Sequence, residues 1–268
     1  MGIDGARTRC GYLDLPWGQV HCRTVDADPG LGVLILLHQS PLSSRTFEPA
    51  LAPLARHVRP FALDTPGHGG SDRAPSVWEV EDYAAAVWSA VDALGATSVA
   101  LLGRATGSVI ALEAALQRPE RVSRLVLHGL PVYTAGERTS RLASFAPPWE
   151  ATDDGAHLGW IWDRVRGEYP WAPPELVTAL VADYLAAGPD FAAAYRAIWR
   201  YDLAARAPAL TVRALLLSGT ADRIAAMQPR ARDLLPDLES LVLEGATDFV
   251  ALQEPERYAD AVADFILR

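Results

Sequence analysis

The stretch Val99-Ala-Leu-Leu-Gly-Arg-Ala-Thr-Gly-Ser-Val-Ile-Ala-Leu-Glu-Ala-Ala115 decides the fold. A short apolar run ends at Gly103, and a helical pattern begins at Thr106. Between them Gly103-Arg104-Ala105-Thr106-Gly107 has the frame of a sharp strand-to-helix turn whose glycines give room for the bend. A Ser, Cys or Asp at the tip of such a turn would be presented as a nucleophile. Here the tip is Ala105, which has neither a nucleophilic atom nor a proton to give. The chain therefore reads as a catalytic platform without its usual catalyst.

Outward from this turn, strands and helices alternate. Residues 8–26 read as a hairpin turning through Pro16 and Gly18. Val33 to His38 and Val58 to Leu63 are continuous apolar runs, as expected of strands buried on both faces. Ser98–Leu102, Arg124–His128, Ala214–Ser218 and Ser240–Leu243 supply the remaining strands. Helical spacing is expected over Ser44–Arg56, Glu81–Leu94, Thr106–Gln117, Met227–Leu235 and Pro255–Leu267. This alternation predicts an α/β fold with a mostly parallel, eight-stranded sheet and right-handed crossovers. Residues 133–207 contain no strand-like run, hold five of the eight tryptophans, and are punctuated by Pro147-Pro148 and Pro173-Pro174. They read as a helical cap inserted between a first core part, residues 1–132, and a second, residues 208–268.

Composition narrows the function classes. The 268 residues are 50% apolar and carry a net charge of −9, from 24 basic and 33 acidic side chains. That balance argues against nucleic acid and anionic membranes as partners. Every basic residue is Arg. The absence of Lys excludes Schiff-base chemistry on this chain, covalently held pyridoxal phosphate and a Walker-type lysine. The Ala- and Arg-rich usage suits a high-GC bacterial genome. No apolar run approaches the roughly 20 residues of a membrane span. With no secretory signal visible, a cytoplasmic setting is expected. Cys10 and Cys22 then read as free thiols, with a cross-strand disulfide as the alternative. No metal-ligand spacing, Rossmann fingerprint or flavin signature is present, so no cofactor is expected. The oligomeric state is open, a homodimer included.

Five landmarks in order resemble the α/β-hydrolase superfamily over nearly the whole chain. His38-Gln-Ser-Pro41 stands where the family has its oxyanion loop, H-G-x-P. Leu63-Asp-Thr-Pro-Gly-His-Gly-Gly-Ser-Asp72 is similar to D-x-P-G-x-G-x-S-D. Gly103–Gly107 is the elbow, G-x-S-x-G, and also resembles a subgroup with G-x-H-T-G there. Ser218-Gly-Thr-Ala-Asp222 is similar to the loop that holds the catalytic acid, and Gly245-Ala-Thr-Asp-Phe249 to the G-x-x-H-F loop that holds the histidine. The resemblance implies a Ser, acid, His order, but these positions are Ala105, Asp222 and Asp248. The family's covalent mechanism needs a nucleophile and an imidazole shuttle, and this chain has neither at those positions.

The resemblance also implies an oxyanion hole formed by the backbone N–H groups of Thr106 and of Ser40 or Gln39, above Ala105. Such donors stabilise an enolate or alkoxide without covalent attack. The plain alternative is a relic hole with no ligand. Arg104 is expected to pair with Asp222 or Asp248, or to bind an anionic or carbonyl substrate. If the two aspartates approach, one stays protonated and serves as an acid. His38 and His128 are candidates for the pocket wall, His38 alternatively as a loop brace. In the cap, His157, Trp160, Ile161 and Arg164 share a helical face. If that face looks onto Ala105, His157 is the replacement base, and Trp160, Ile161 and Trp162 offer stacking area; otherwise they are cap core.

The expected function is a cofactor-independent, non-hydrolytic enzyme acting on a hydrophobic, polycyclic or polyketide-type small molecule. It would cyclise, eliminate, form a carbon–carbon bond or rearrange. A ligand-binding pseudoenzyme and a weak hydrolase using water activated by Asp248 or a histidine are the alternatives.

Overall fold

A computed structural model describes residues 7–145 and 149–268. The Pro147-Pro148 break falls outside the described residues. Eight strands form one sheet: β1 (Arg9–Leu15), β2 (Gly18–Thr24), β3 (Val33–Leu37), β4 (Arg59–Leu63), β5 (Val99–Arg104), β6 (Val122–His128), β7 (Ala214–Gly219) and β8 (Glu239–Leu243). Their order is β1-β2-β4-β3-β5-β6-β7-β8. The β1–β2 hairpin and the β2–β4 pair are antiparallel, and all other neighbours are parallel. The central strands β3, β5 and β7 are buried along their whole length, which is why their sequences are continuous apolar runs.

Helices cover both faces. On one side α2 (Val80–Ala93) and α3 (Thr106–Gln117) pack on the sheet, with Trp88 and Ile110 in the same core as Ile35 and Leu101. On the other side α1 (Glu48–Leu54) and the C-terminal α11 (Pro255–Ile266) cover Leu34, Leu36 and Val126. The helix expected over Ser44–Arg56 begins as a 3-10 turn, Ser44–Phe47, because Glu48-Pro49 sets the first α turn. The helix expected from Met227 likewise starts as a 3-10 turn, before α9 (Gln228–Leu234); the short α10 (Val250–Gln253) precedes α11.

Between β6 and β7 the chain forms the helical cap: α4 (Ala135–Ser144), α5 (Ala156–Glu168), α6 (Pro174–Ala187), α7 (Ala193–Arg200) and α8 (Leu203–Arg206). A capping box between Thr134 and Glu137 starts α4. Pro174 starts α6, which ends at Gly188 in a positive-φ conformation. The cap has its own apolar core of Ile161, Val165, Val177, Leu180, Tyr184 and Phe191, into which Leu42 and Phe249 reach from the sheet's loops.

The two cysteines remain free thiols. Cys22 is buried, whereas Cys10 is exposed beside Arg23. They sit one register position apart on β1 and β2, so their side chains leave opposite faces of the hairpin. Among the described residues, no helix is long and apolar enough to cross a membrane.

Candidate active site

β5 ends at Arg104, and Ala105 turns the chain into α3. Ala105 has φ 48° and ψ −110°; it is the only non-glycine residue with positive φ among the described residues. Such backbone is strained for an L side chain and costs on the order of 1–3 kcal/mol. The elbow glycines are required by contact. A Cβ on Gly103 would lie 2.1 Å from the Gly107 carbonyl oxygen, and one on Gly107 would lie 2.2 Å from that of Leu37. The elbow is thus intact, with a methyl group at its tip facing a cavity of about 250 Å³ under the cap.

Of the two expected oxyanion donors, one is engaged within the protein. The Ser40 N–H donates to Thr106 Oγ1 at 2.6 Å, and the Thr106 hydroxyl donates to Ser40 Oγ at 3.2 Å. The Thr106 N–H, in the first turn of α3, belongs to the unpaired donors of a helix start. The loop is tied to the cap by the Tyr195 hydroxyl, which donates to the Ser40 carbonyl at 2.5 Å. Gln39 lines the cavity, and its buried Nε2 has no partner among the described residues.

Beneath the elbow lies a buried ion cluster. Arg104 is 3% exposed and lies 2.9 Å from Asp222 Oδ2 and 3.2 Å from Asp248 Oδ1. It also donates to the carbonyls of Asp248 and His128. Gly129, at φ +65°, leaves space for this side chain: a Cβ there would stand 2.6 Å from Arg104 Nη1. Arg223 holds Asp248 from the other side, through its backbone N–H and Nε, each at 2.8 Å. It continues to the Tyr169 hydroxyl at 2.8 Å and to Glu168 at 3.4 Å.

Burial pushes the Asp222 carboxyl up to about 6; Arg104 opposes the shift and neighbouring Asp248 adds to it. For Asp248 burial acts in the same sense, but Arg104, the hydrogen bond with Asp222 and Arg223 outweigh it, so its carboxyl is held below the usual range. Two carboxylates around one arginine thus divide their roles: Asp222 holds a proton more readily, and Asp248 stays ionised.

The cavity itself is lined by aromatic rings and arginines. Tyr133, Phe145, Tyr195 and Trp199 form its apolar wall, and Arg104, Arg141, Arg164 and Arg223 face it together with Glu168 and Asp248. Tyr195 stacks on Trp199 with ring centroids 5.5 Å apart, and Phe145 lies 4.8 Å from Trp199.

Arg104, Ala105, Thr106, Gln39 and Asp248 converge on the cavity; Asp222 sits behind Arg104 and is not part of its lining. His38 is fully buried and acts as a loop brace: its Nε2 accepts from the Thr65 N–H at 2.9 Å, so its Nδ1 donates to the Gln39 carbonyl at 3.0 Å. His128 is buried next to Tyr258, and burial together with Arg104 holds it neutral.

His157 is not at the cavity. It stacks on Trp149, with centroids 5.4 Å apart, and accepts from the Thr152 N–H, because it sits in the first turn of α5, beyond the part that reaches the elbow. Ile161 belongs to the cap core, and Trp162 is half-exposed beside Arg166. Trp160 is partly exposed, with its edge toward Phe191 and Arg164 against its face.

Glu168 was not anticipated. Extending the face His157–Trp160–Arg164 by one more helical turn reaches it, and Arg164 and Glu168 form an i,i+4 ion pair at 3.4 Å. Arg223 could have been found by its place next to the loop aspartate.

Comparisons with known proteins agree with this architecture. The family profile for the alpha/beta hydrolase fold matches residues 32–255. The chain is 30% identical over 251 residues to part of the polyketide synthase ThaQ of Burkholderia thailandensis, covering 89% of this chain but only 11% of that protein. It is 25% identical to the 2-(acetamidomethylene)succinate hydrolase of Mesorhizobium japonicum, over 89% of this chain and 90% of that one. Among solved structures, the enol-lactonase of Burkholderia xenovorans LB400 superposes with a TM-score of 0.77 at 18% identity, covering 96% of this chain and all of that one. The thioesterase domain from the curacin biosynthetic pathway does so with a TM-score of 0.67 at 17% identity, covering 98% of this chain and all of that domain. With the profile spanning most of the chain and the elbow, sheet order and cap in place, the protein belongs to the α/β-hydrolase fold family.

Proposed function

We propose that the protein is a cofactor-independent, non-hydrolytic enzyme acting on a hydrophobic, polyketide-type or polycyclic intermediate. The observation that carries this reading is the pair of residues at the elbow tip and in the final loop, Ala105 and Asp248. Ala105 cannot form an acyl-enzyme, and the histidine position is held by Asp248, whose oxygens are engaged by Arg104 and Arg223. Neither nucleophilic attack nor imidazole-activated water has a group to perform it. A scaffold that keeps a strained elbow and the Thr106 N–H at a helix start still offers electrostatic stabilisation of an oxyanion.

The chemistry that fits is proton transfer next to a carbonyl. Glu168, the cavity carboxylate with solvent access, takes a proton from a carbon beside the carbonyl, and the electron pair moves to oxygen. The enolate oxygen accepts from the Thr106 N–H. Attack of the enolate carbon on a second carbonyl closes a ring, and the alkoxide so formed takes the proton back from Glu168; alternatively, loss of a β-hydroxyl as water, using the same proton, gives an elimination. Gln39 orients the carbonyl, and Arg104, Asp222 and Asp248 position the cavity floor. The likeness to a segment of a polyketide synthase supports the substrate class.

A second reading, ligand binding without turnover, draws on one observation: the Ser40 N–H is already occupied by Thr106 Oγ1. The two part on mass change. Turnover of β-polyketo acids or thioesters to an isomer, or to a product lighter by water or carbon dioxide, and its loss in Glu168→Gln, supports the enzyme. Saturable binding of unchanged compound overturns it.

A further inference from the structure

The cavity's arginines divide into two kinds. Arg104 and Arg223 direct their donors to Asp248, to backbone carbonyls, to Tyr169 and to Glu168. Arg164 and Arg141 do not. The Arg164 side chain is 18% exposed, and its buried Nε faces Glu168 Oε1 at 3.4 Å, an ion pair without hydrogen-bond geometry. Its one carboxylate neighbour, Glu168, stands off at 3.4 Å and is shared with Arg223 and the Tyr184 hydroxyl. Aromatic rings wall the guanidinium instead: Phe145 at 4.9 Å, Phe191 at 5.2 Å and Trp160 at 5.7 Å. The Arg141 side chain, exposed at the cavity, has neither hydrogen bond nor ion pair among the described residues and lies over Tyr133 and Trp199.

The two guanidinium groups flank one cluster of aromatic rings. Arg164 packs on Phe145, Phe145 on Trp199, and Trp199 on Arg141. A largely buried guanidinium whose one carboxylate is shared with Arg223 and the Tyr184 hydroxyl has donors to spare for a second anion. Its planar fork matches a carboxylate two bonds at a time. Rings placed between two such forks suit a flat ligand.

We propose that the natural ligand is an aromatic or polyenoic carboxylate. Its anionic group is clamped by Arg164, with Arg141 as the second cation, and its planar body lies against Phe145, Tyr195 and Trp199. The proposal rests on the reading of this cavity as a small-molecule site and adds the charge that site selects.

The test is calorimetric titration of the native protein with 2-naphthoate and with its neutral isostere 2-naphthamide at pH 7.5. Naphthoate is expected to bind about tenfold tighter or better, the worth of one charge-assisted pair. Arg164→Met is expected to abolish the preference, and Arg141→Met, at an exposed position, to reduce it about threefold. Equal affinity, preference for the amide, binding of neither compound, or a preference untouched by both substitutions overturns the clamp. Naphthoate has no bond for the enzyme to change, so the clamp and the proposed reaction stand or fall separately.

Discussion

Asp222→Asn tests the ion cluster through the pH dependence of stability. In the folded protein the Asp222 carboxyl is pushed up to about 6 by burial, with Arg104 opposing and Asp248 adding, against an ordinary value of 3.8. Between those values the folded state binds more protons than the unfolded state, so stability falls as pH rises. The gap of about two pH units corresponds to about 3 kcal/mol in full. About 2 kcal/mol of this falls between pH 4.5 and pH 7.5, the remainder lying below that window. Asn resembles the protonated carboxyl and does not titrate. Urea unfolding of both proteins at pH 4.5, 5.5, 6.5 and 7.5 is expected to show the native protein losing about 2 kcal/mol relative to the variant across the series. Asp183, which burial also raises to about 6, is common to both proteins and cancels in the difference. A difference that stays flat, or that grows in favour of the native protein as pH rises, refutes the argument that burial and Asp248 outweigh Arg104.

Three further substitutions probe the same site. Arg104→Met removes the cation between two buried carboxylates and is expected to cost about 3–5 kcal/mol; at roughly 2–4 °C per kcal/mol for a chain of this size, a melting temperature lowered by less than about 5 °C contradicts it. Ala105→Gly relieves the φ 48° backbone and is expected to stabilise by about 1 kcal/mol, so a lower melting temperature speaks against strain at the elbow. Ala105→Ser restores the hydroxyl but no imidazole. It is expected to give no stoichiometric burst with p-nitrophenyl acetate, and a burst would show that Asp248 can be freed to act as base.

Much of the scaffold was legible because its determinants are one-dimensional. The runs Val33–Leu37 and Val99–Leu102 can only be strands buried on both faces, and Gly103 and Gly107 mark a place where two backbones touch. The sequence offers Asp222 or Asp248, or a substrate, as the partner of Arg104, and the structure pairs it with both aspartates. What the sequence withholds is rotamer and reach. No residue pattern says that Thr106 Oγ1 turns back to take the Ser40 N–H. A helical wheel puts His157 and Arg164 on one face but does not say how far along the axis the cavity lies. The cavity meets the later turns of α5, so Arg164 and Glu168 reach it while His157 stacks on Trp149. Ile161, on the same side, is drawn into the cap core by Leu180 and Phe191.

The central claim is that the site changes a carbon skeleton without adding water. The direct measurement is high-resolution mass spectrometry of a panel of β-polyketo acids and thioesters incubated with the protein in water labelled with oxygen-18, alongside Glu168→Gln. The expected result is an isomer, or a product lighter by water or carbon dioxide, with no added label and with a yield at least about a hundredfold lower in the variant. A carboxylic acid carrying one oxygen-18 from solvent would mean that the protein hydrolyses its substrate despite Ala105, and would contradict the account.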